Sequence, residues 1–200
     1  MGDGMLMIRR FLGLAMIALL AGCAADKDLD EPFEPLGAFR LGHNIVVADT
    51  ARLVPPSRRA TEEEWETAIK KAIDRRFSRF EGDQLYHIAI SVDGYSIAVP
   101  GVPVVLSPKS VMIISATVWD DAAGGKINEE PKQITVLERL SGETVVGSGL
   151  TQSKAEQIEN LADNAARLVE KWMRTNPDWF APKDPADPVA TASSKSWRQR

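Results

Sequence analysis

An α+β fold is predicted: an antiparallel sheet with two helices packed on one face, a two-layer sandwich in the order β-α-β-β-β-β-α. Three observations predict it. Two segments carry apolar residues at helical spacing behind capping boxes. Several shorter segments alternate or run apolar over strand lengths. The turn signals between them, Asp93-Gly94 and Ser141-Gly142, are of the short kind that joins neighbouring antiparallel strands. The chain has 200 residues, a length that suits one domain with tails.

The elements follow in chain order. Asn44-Ile45-Val46-Val47-Ala48-Asp49 is a β-branched run and reads as a buried first strand, with Pro55-Pro56 closing the next turn. Thr61-Glu62-Glu63-Glu64 is a capping box with Thr61 at the N-cap. Behind it Trp65, Ile69, Ala72, Ile73, Phe77 and Phe80 form one apolar face. The opposite face carries Lys70, Lys71, Asp74, Arg75, Arg76 and Arg79. Its basic end complements the negative end of the helix dipole, and anionic lipid or phosphate is the alternative ligand.

Leu85 to Val92 alternates, with Tyr86, Ile88, Ile90 and Val92 on one face; Asp93-Gly94 then reads as a hairpin turn and Tyr95 to Val99 as a strand. Pro100 to Pro108 is apolar but punctuated by three prolines, which exclude a central strand. Its Val102, Val104, Val105 and Leu106 either cover the core as a packed loop or form an exposed patch for a partner. Val111 to Trp119 is the strongest strand signal, and Asp120 to Lys126 turns the chain. Gln133 to Leu140 and Thr144 to Val146 supply the last strands. Ser153 and Glu156 then open the second helix, whose stripe is Ile158, Leu161, Ala162, Ala165, Leu168, Val169 and Trp172. Asn176-Pro177 ends it, and Trp179 and Phe180 fold back on the core.

The flanks differ in composition from this domain, which spans residues 43–180. Arg9 and Arg10 form a positive end, and Phe11 to Leu20 is an apolar stretch of about ten to twelve residues, too short for the roughly 20 of a spanning helix. Residues 1–22 therefore read as a secretory signal. Either Met5 or Met7 could serve as its start, since Met1-Gly2-Asp3-Gly4 adds nothing to the signal. Residues 23–42 read as a tether, because Pro32, Pro35, Gly37 and the charges deny it a long element. Asp26, Asp28, Asp30 and Glu31 lack the Gly and terminal Glu of a calcium loop. Residues 181–200 lose all apolar period and read as a disordered tail.

Leu20-Ala21-Gly22-Cys23 resembles a bacterial lipobox at all four positions. The resemblance implies that Cys23 becomes the first mature residue and carries acyl chains on its sulfur and amine. Two or three chains, at about 0.8 kcal/mol per buried methylene, anchor a protein permanently. Ala24, rather than Asp, follows the Cys, which in that family favours the outer membrane, facing the periplasm. With one cysteine in the chain there is no intramolecular disulfide.

Formal net charge is -4, and about -5 once residues 1–22 with Asp3, Arg9 and Arg10 are gone. That excludes the basic footprint of a nucleic-acid binder. No metal or cofactor site is expected: His43 and His87 are far apart in sequence, and each suits a structural place at a strand edge. Gly147-Ser148-Gly149 lacks the third Gly and βαβ setting of a phosphate loop, and Asp120-Asp121 suits turn chemistry better than a catalytic pair. Val111 to Ile127 resembles the strand, Asp-containing turn and strand of small envelope lipoproteins of the ABC-transport-auxiliary, LptE-like and TolB N-terminal-like kinds, a similarity over roughly residues 43–175. It implies a non-enzymatic adaptor in an envelope assembly or lipid-transport complex, with a protein partner.

Two expectations result. The first is a lipid-anchored binding module without enzymatic activity. The second is an envelope hydrolase or small-ligand-binding protein, which a pocket gathering His87 with Asp93 or Asp120 would favour. On the stability side, Ser153→Ala removes a helix cap and lowers unfolding free energy by about 1 kcal/mol, measured by urea denaturation.

Overall fold

The computed structural model describes residue 29 and residues 32–99, 110–139 and 152–182. The chain divides into Met1–Glu34 and Pro35–Arg200, and the second unit carries the fold. Its described elements are β1 (Phe39–Val47), β2 (Arg52–Leu53), α1 (Glu62–Phe77), β3 (Gln84–Ser96), β4 (Val111–Asp120), β5 (Gly125–Lys126), β6 (Lys132–Leu137) and α2 (Lys154–Arg174), followed by a 3₁₀ turn at Pro177–Phe180. The result is the expected α+β sandwich, with both helices packed against each other and on the sheet.

The sheet is mixed rather than antiparallel throughout. β4 pairs antiparallel with β3, β5 and β6, but β1 and β2 both run parallel to β3. Parallel neighbours need a crossover, and α1 supplies it between β1 and β3. The helix that the capping box announces is thus also the crossover that permits β1 to lie parallel to β3.

Two further differences share one cause. β1 starts at Phe39, inside the stretch read as tether, and β3 runs straight through Asp93-Gly94, the expected hairpin. Each strand contains a register shift, between Leu41 and Asn44 in β1 and between Val92 and Gly94 in β3. A bulge lets a strand change the parity of its inward residues. Tyr86, Ile88, Ile90 and Val92 are buried at even positions, and Tyr95 and Ile97 at odd ones. Gly94 sits at the change, with Arg52 O only 3.2 Å from where a Cβ would stand.

The core gathers on the helix side of the sheet. Phe39 is its hub, stacked on Tyr86 at 5.5 Å and set edge-on to Phe180 and Phe80 at 5.5 and 5.9 Å, with Phe77 at 5.8 Å. Phe180 is buried as expected, and burial pushes the Tyr86 hydroxyl up to about 12, with Asp120 and Asp83 adding to it. Gly37, at φ +52°, brings Ala38 N to donate to Phe180 O at 2.7 Å; a Cβ there would overlap that carbonyl. Both predicted capping boxes are formed, and every predicted apolar position of α1 is buried. Asn164 Nδ2 donates to Leu137 O at 2.6 Å and Asn160 Oδ1 accepts from Arg139 N at 2.8 Å, tying α2 to the end of β6.

Truncating the hub tests this packing. Phe39→Ala is expected to cost about 3–5 kcal/mol of unfolding free energy, the range for a large buried aromatic, read from the shift in urea midpoint.

Candidate functional site

The residues singled out by sequence for lipidation and contact, Cys23 and Val102, Val104, Val105 and Leu106, lie outside the described residues. So do the Thr144 to Val146 strand, Gly147-Ser148-Gly149 and the tail from residue 183. Three arrangements of polar groups remain in the described fold.

The first is the basic end of α1. Ion pairs run Glu64 to Lys154, Lys71 to Glu159, Arg75 to Asp163 and Arg79 to Glu170, so the two helices lie parallel. At their C-terminal end Glu170, only 8% exposed, accepts from Arg76 Nη1 and Arg79 Nη2 at 2.9 Å on one oxygen. Its other oxygen accepts from Arg174 at 2.9 and 2.8 Å. Burial alone would raise this carboxyl, but the hydrogen bonds from Arg76 and Arg174 and the charge of Arg79 together hold it below its ordinary value. Two aligned helices place the equivalent of about one negative charge at this end, which three guanidiniums and one carboxylate complement. The cluster is accounted for as structure, in keeping with the dipole reading of the basic face.

The second lies on the open face of the sheet. The β1 bulge sets Gly42 and His43 against the single residue His87, between the pairs Leu41–Tyr86 and Asn44–Ile88. His43 N donates to His87 Nδ1 at 2.8 Å, and the two rings stand 4.8 Å apart. A bare Nδ1 leaves the proton on Nε2, which donates to Asp121 Oδ1 at 3.1 Å. The sequence separation of 44 residues gave no hint that the two histidines would meet. A tight fit marks the place: a Cβ on residue 42 would come within 2.5 Å of His87 Nδ1.

His87 does not gather with Asp93 or Asp120. Asp93 accepts from Ser115 Oγ at 2.7 Å, and Asp120 accepts from Ala123 N at 3.0 Å inside the β4–β5 turn. Both ring nitrogens of His87 are engaged, neither by a hydroxyl or thiol that it could activate. Among the described residues no group of three or more His, Cys, Asp or Glu is placed to hold a metal.

The third is a cleft of about 620 Å³ beside the start of α1, lined in part by Asp49, Arg59, Glu62, Trp65, Glu66 and Tyr95. Its polar groups brace the chain around it: Glu66 Oε1 accepts from Ala48 N at 3.2 Å, and the Tyr95 hydroxyl donates to Ala60 O at 3.0 Å.

No family model matches the chain, and no curated protein matches it. Among solved structures it is similar to a Caulobacter crescentus CB15 protein provisionally named a lipoprotein (14% identity, 67% of this chain and 94% of that one, TM-score 0.40). It is similar also to a Xanthomonas campestris protein (14% identity, 74% and 91% covered, TM-score 0.45). A third is a minor lipoprotein from Acinetobacter baumannii (18% identity, 70% and 97% covered, TM-score 0.28). Similarity at this level carries no residue role to this chain. Among the described residues no helix is long and apolar enough to cross a membrane.

The Glu170 cluster has a pH signature. A lowered carboxyl stabilises the fold fully above the ordinary value of 4.5, and the contribution is lost as pH falls through the lowered value. Urea midpoints measured from pH 7 down to 3 should fall steeply in the wild type and less steeply in Glu170→Gln. At pH 7 that variant should be destabilised by about 3–5 kcal/mol, since it leaves buried arginines without their carboxylate.

Proposed function

We propose that this protein is a bacterial envelope lipoprotein: a non-enzymatic binding or adaptor module held at the outer membrane by acyl chains on Cys23, within an assembly or transport complex of the envelope. The observation that carries the reading is Leu20-Ala21-Gly22-Cys23 behind a positive end and a short apolar stretch, with the only cysteine of the chain at the acceptor position. Two polar arrangements of the described fold have structural partners. The His87–Asp121 pair has both ring nitrogens occupied by structural partners, and the arginine cluster is matched to Glu170 and two helix ends. The contact surface we assign to a protein partner is the Val102, Val104, Val105, Leu106 segment, on its apolar composition. The alternative is an envelope hydrolase or small-ligand-binding protein, for which the cleft beside α1 is a candidate site among the described residues.

Metabolic labelling with a fatty acid tests the anchor. Label should enter the wild-type protein, and Cys23→Ser should lose the label and leave the membrane fraction while keeping the wild-type unfolding midpoint. A wild-type protein that takes up no label would remove the lipoprotein reading. Site-specific crosslinking from Val104 in whole cells tests the contact, and recovery of a discrete protein partner is the expected outcome.

A further inference from the structure

The geometry points to a pH-sensitive latch in the sheet: protonation of the His87 imidazole releases the backbone N–H of His43 and opens the β1 bulge. In an ordinary ladder, the amide of a paired strand residue finds a carbonyl on the next strand. At this bulge two residues face one, so an amide is left over. The His43 N–H is that amide, and the imidazole Nδ1 of His87, at 2.8 Å, takes the place of the ladder carbonyl. Unlike a carbonyl, this acceptor can be lost by titration. A proton on Nδ1 turns it into a donor, and two donors at 2.8 Å cannot share a hydrogen bond.

The surroundings decide which partner moves. Asp121, from the turn after β4, accepts from Nε2 at 3.1 Å in either protonation state and tethers the ring on the side away from the bulge. His43 itself, on β1, sets its ring 4.8 Å from His87, so a charge on one imidazole is felt by the other. Lys126 on β5 stands opposite Trp119, the β4 neighbour of His87, and Arg40 on β1 stands one pair further along, opposite Leu85. Asp120 is turned into the β4–β5 turn, where it accepts from Ala123 N. The ring is therefore held, while the Gly42–His43 peptide is exposed, and β3 is the one strand that pairs with β1 among the described residues, so this peptide is the part that withdraws. Glycine at 42 is needed for the closed state, because a Cβ there would collide with the ring.

Amide exchange and ring titration on the full chain, followed by NMR between pH 8 and 5, test the latch. The protection factor of the His43 amide should fall roughly tenfold, the loss of one hydrogen bond, with the midpoint of the His87 ring. In His87→Gln the carboxamide oxygen still offers an acceptor but does not titrate, so protection should be independent of pH. His43→Ala keeps the backbone donor and should keep the pH response. Protection that stays constant while the His87 ring titrates would overturn the latch. So would a ring that does not titrate in this range, or a response that survives in His87→Gln. Loss of the response in His43→Ala would assign it to repulsion between the rings, and would overturn the latch equally.

Discussion

The parallel packing of α1 and α2 is the constraint on which the other features of the structure depend. Side-by-side parallel helices bring both positive ends to one edge of the molecule and both negative ends to the other, which is unfavourable unless each edge carries compensating charge. The sequence supplies it at both edges. Glu62, Glu63, Glu64 and Glu156 occupy the first turns; Arg75, Arg76, Lys171 and Arg174 occupy the last. Glu170 is the residue that turns this compensation into a joint. It draws Arg76 and Arg79 of one helix end and Arg174 of the other onto a single carboxylate, so the two negative ends are closed by one shared network. Breaking such a network is costly because it leaves charge buried.

The sheet follows from that arrangement. A helix between β1 and β3 permits them to lie side by side and parallel, and α1 is fixed in direction by its pairing with α2. β3 and β4 then provide the long antiparallel pair at the centre, from Tyr86–Asp120 to Ser96–Val111. The aromatic cluster fills the end of the sandwich where the arginine joint sits: Arg79 and Arg174 each lie over the Phe80 ring, at 5.4 and 5.6 Å, and Phe80 meets Phe39 edge-on. Charge pairing and core packing thus meet on the same side chains.

The helices were legible in the sequence because their signals are local: a cap, an acidic first turn, a stripe at period 3.6. The strands were legible in existence and less so in pairing, since pairing depends on what lies between them. The alternation of Leu85 to Val92 marks a strand, whereas at Asp93-Gly94 local turn chemistry argues for a hairpin and β3 continues instead. The inward set passes from Val92 to Tyr95 and Ile97, a change of parity that a two-residue hairpin and a bulge produce alike, so no local signal separates the two here. The same change of parity occurs in β1, where Phe39 and Leu41 give way to Asn44 and Val46, and the start of that strand at Phe39 could have been found from the alternation of Phe39 and Leu41. The meeting of His43 and His87 could not. It arises only when β1 is placed beside β3 in parallel, a fact of topology that no local window contains.

Both bulges also show how the fold handles the polar groups that a bulge sets free. In β3 the extra residue is Asp93, and its carboxylate accepts from Ser115 Oγ on β4, a neighbour made available by the antiparallel pairing. In β1 the freed group is a backbone donor, and a donor needs an acceptor on the neighbouring strand where the displaced ladder offers none. A lysine at position 87 would offer no acceptor at all. Histidine reaches, accepts through Nδ1, and keeps Nε2 to donate onward to Asp121. The residue that completes the ladder supplies an acceptor to the His43 amide and a donor to Asp121, and in this chain a titratable imidazole does both. On this sheet a potential pH response follows from the solution to a hydrogen-bonding problem.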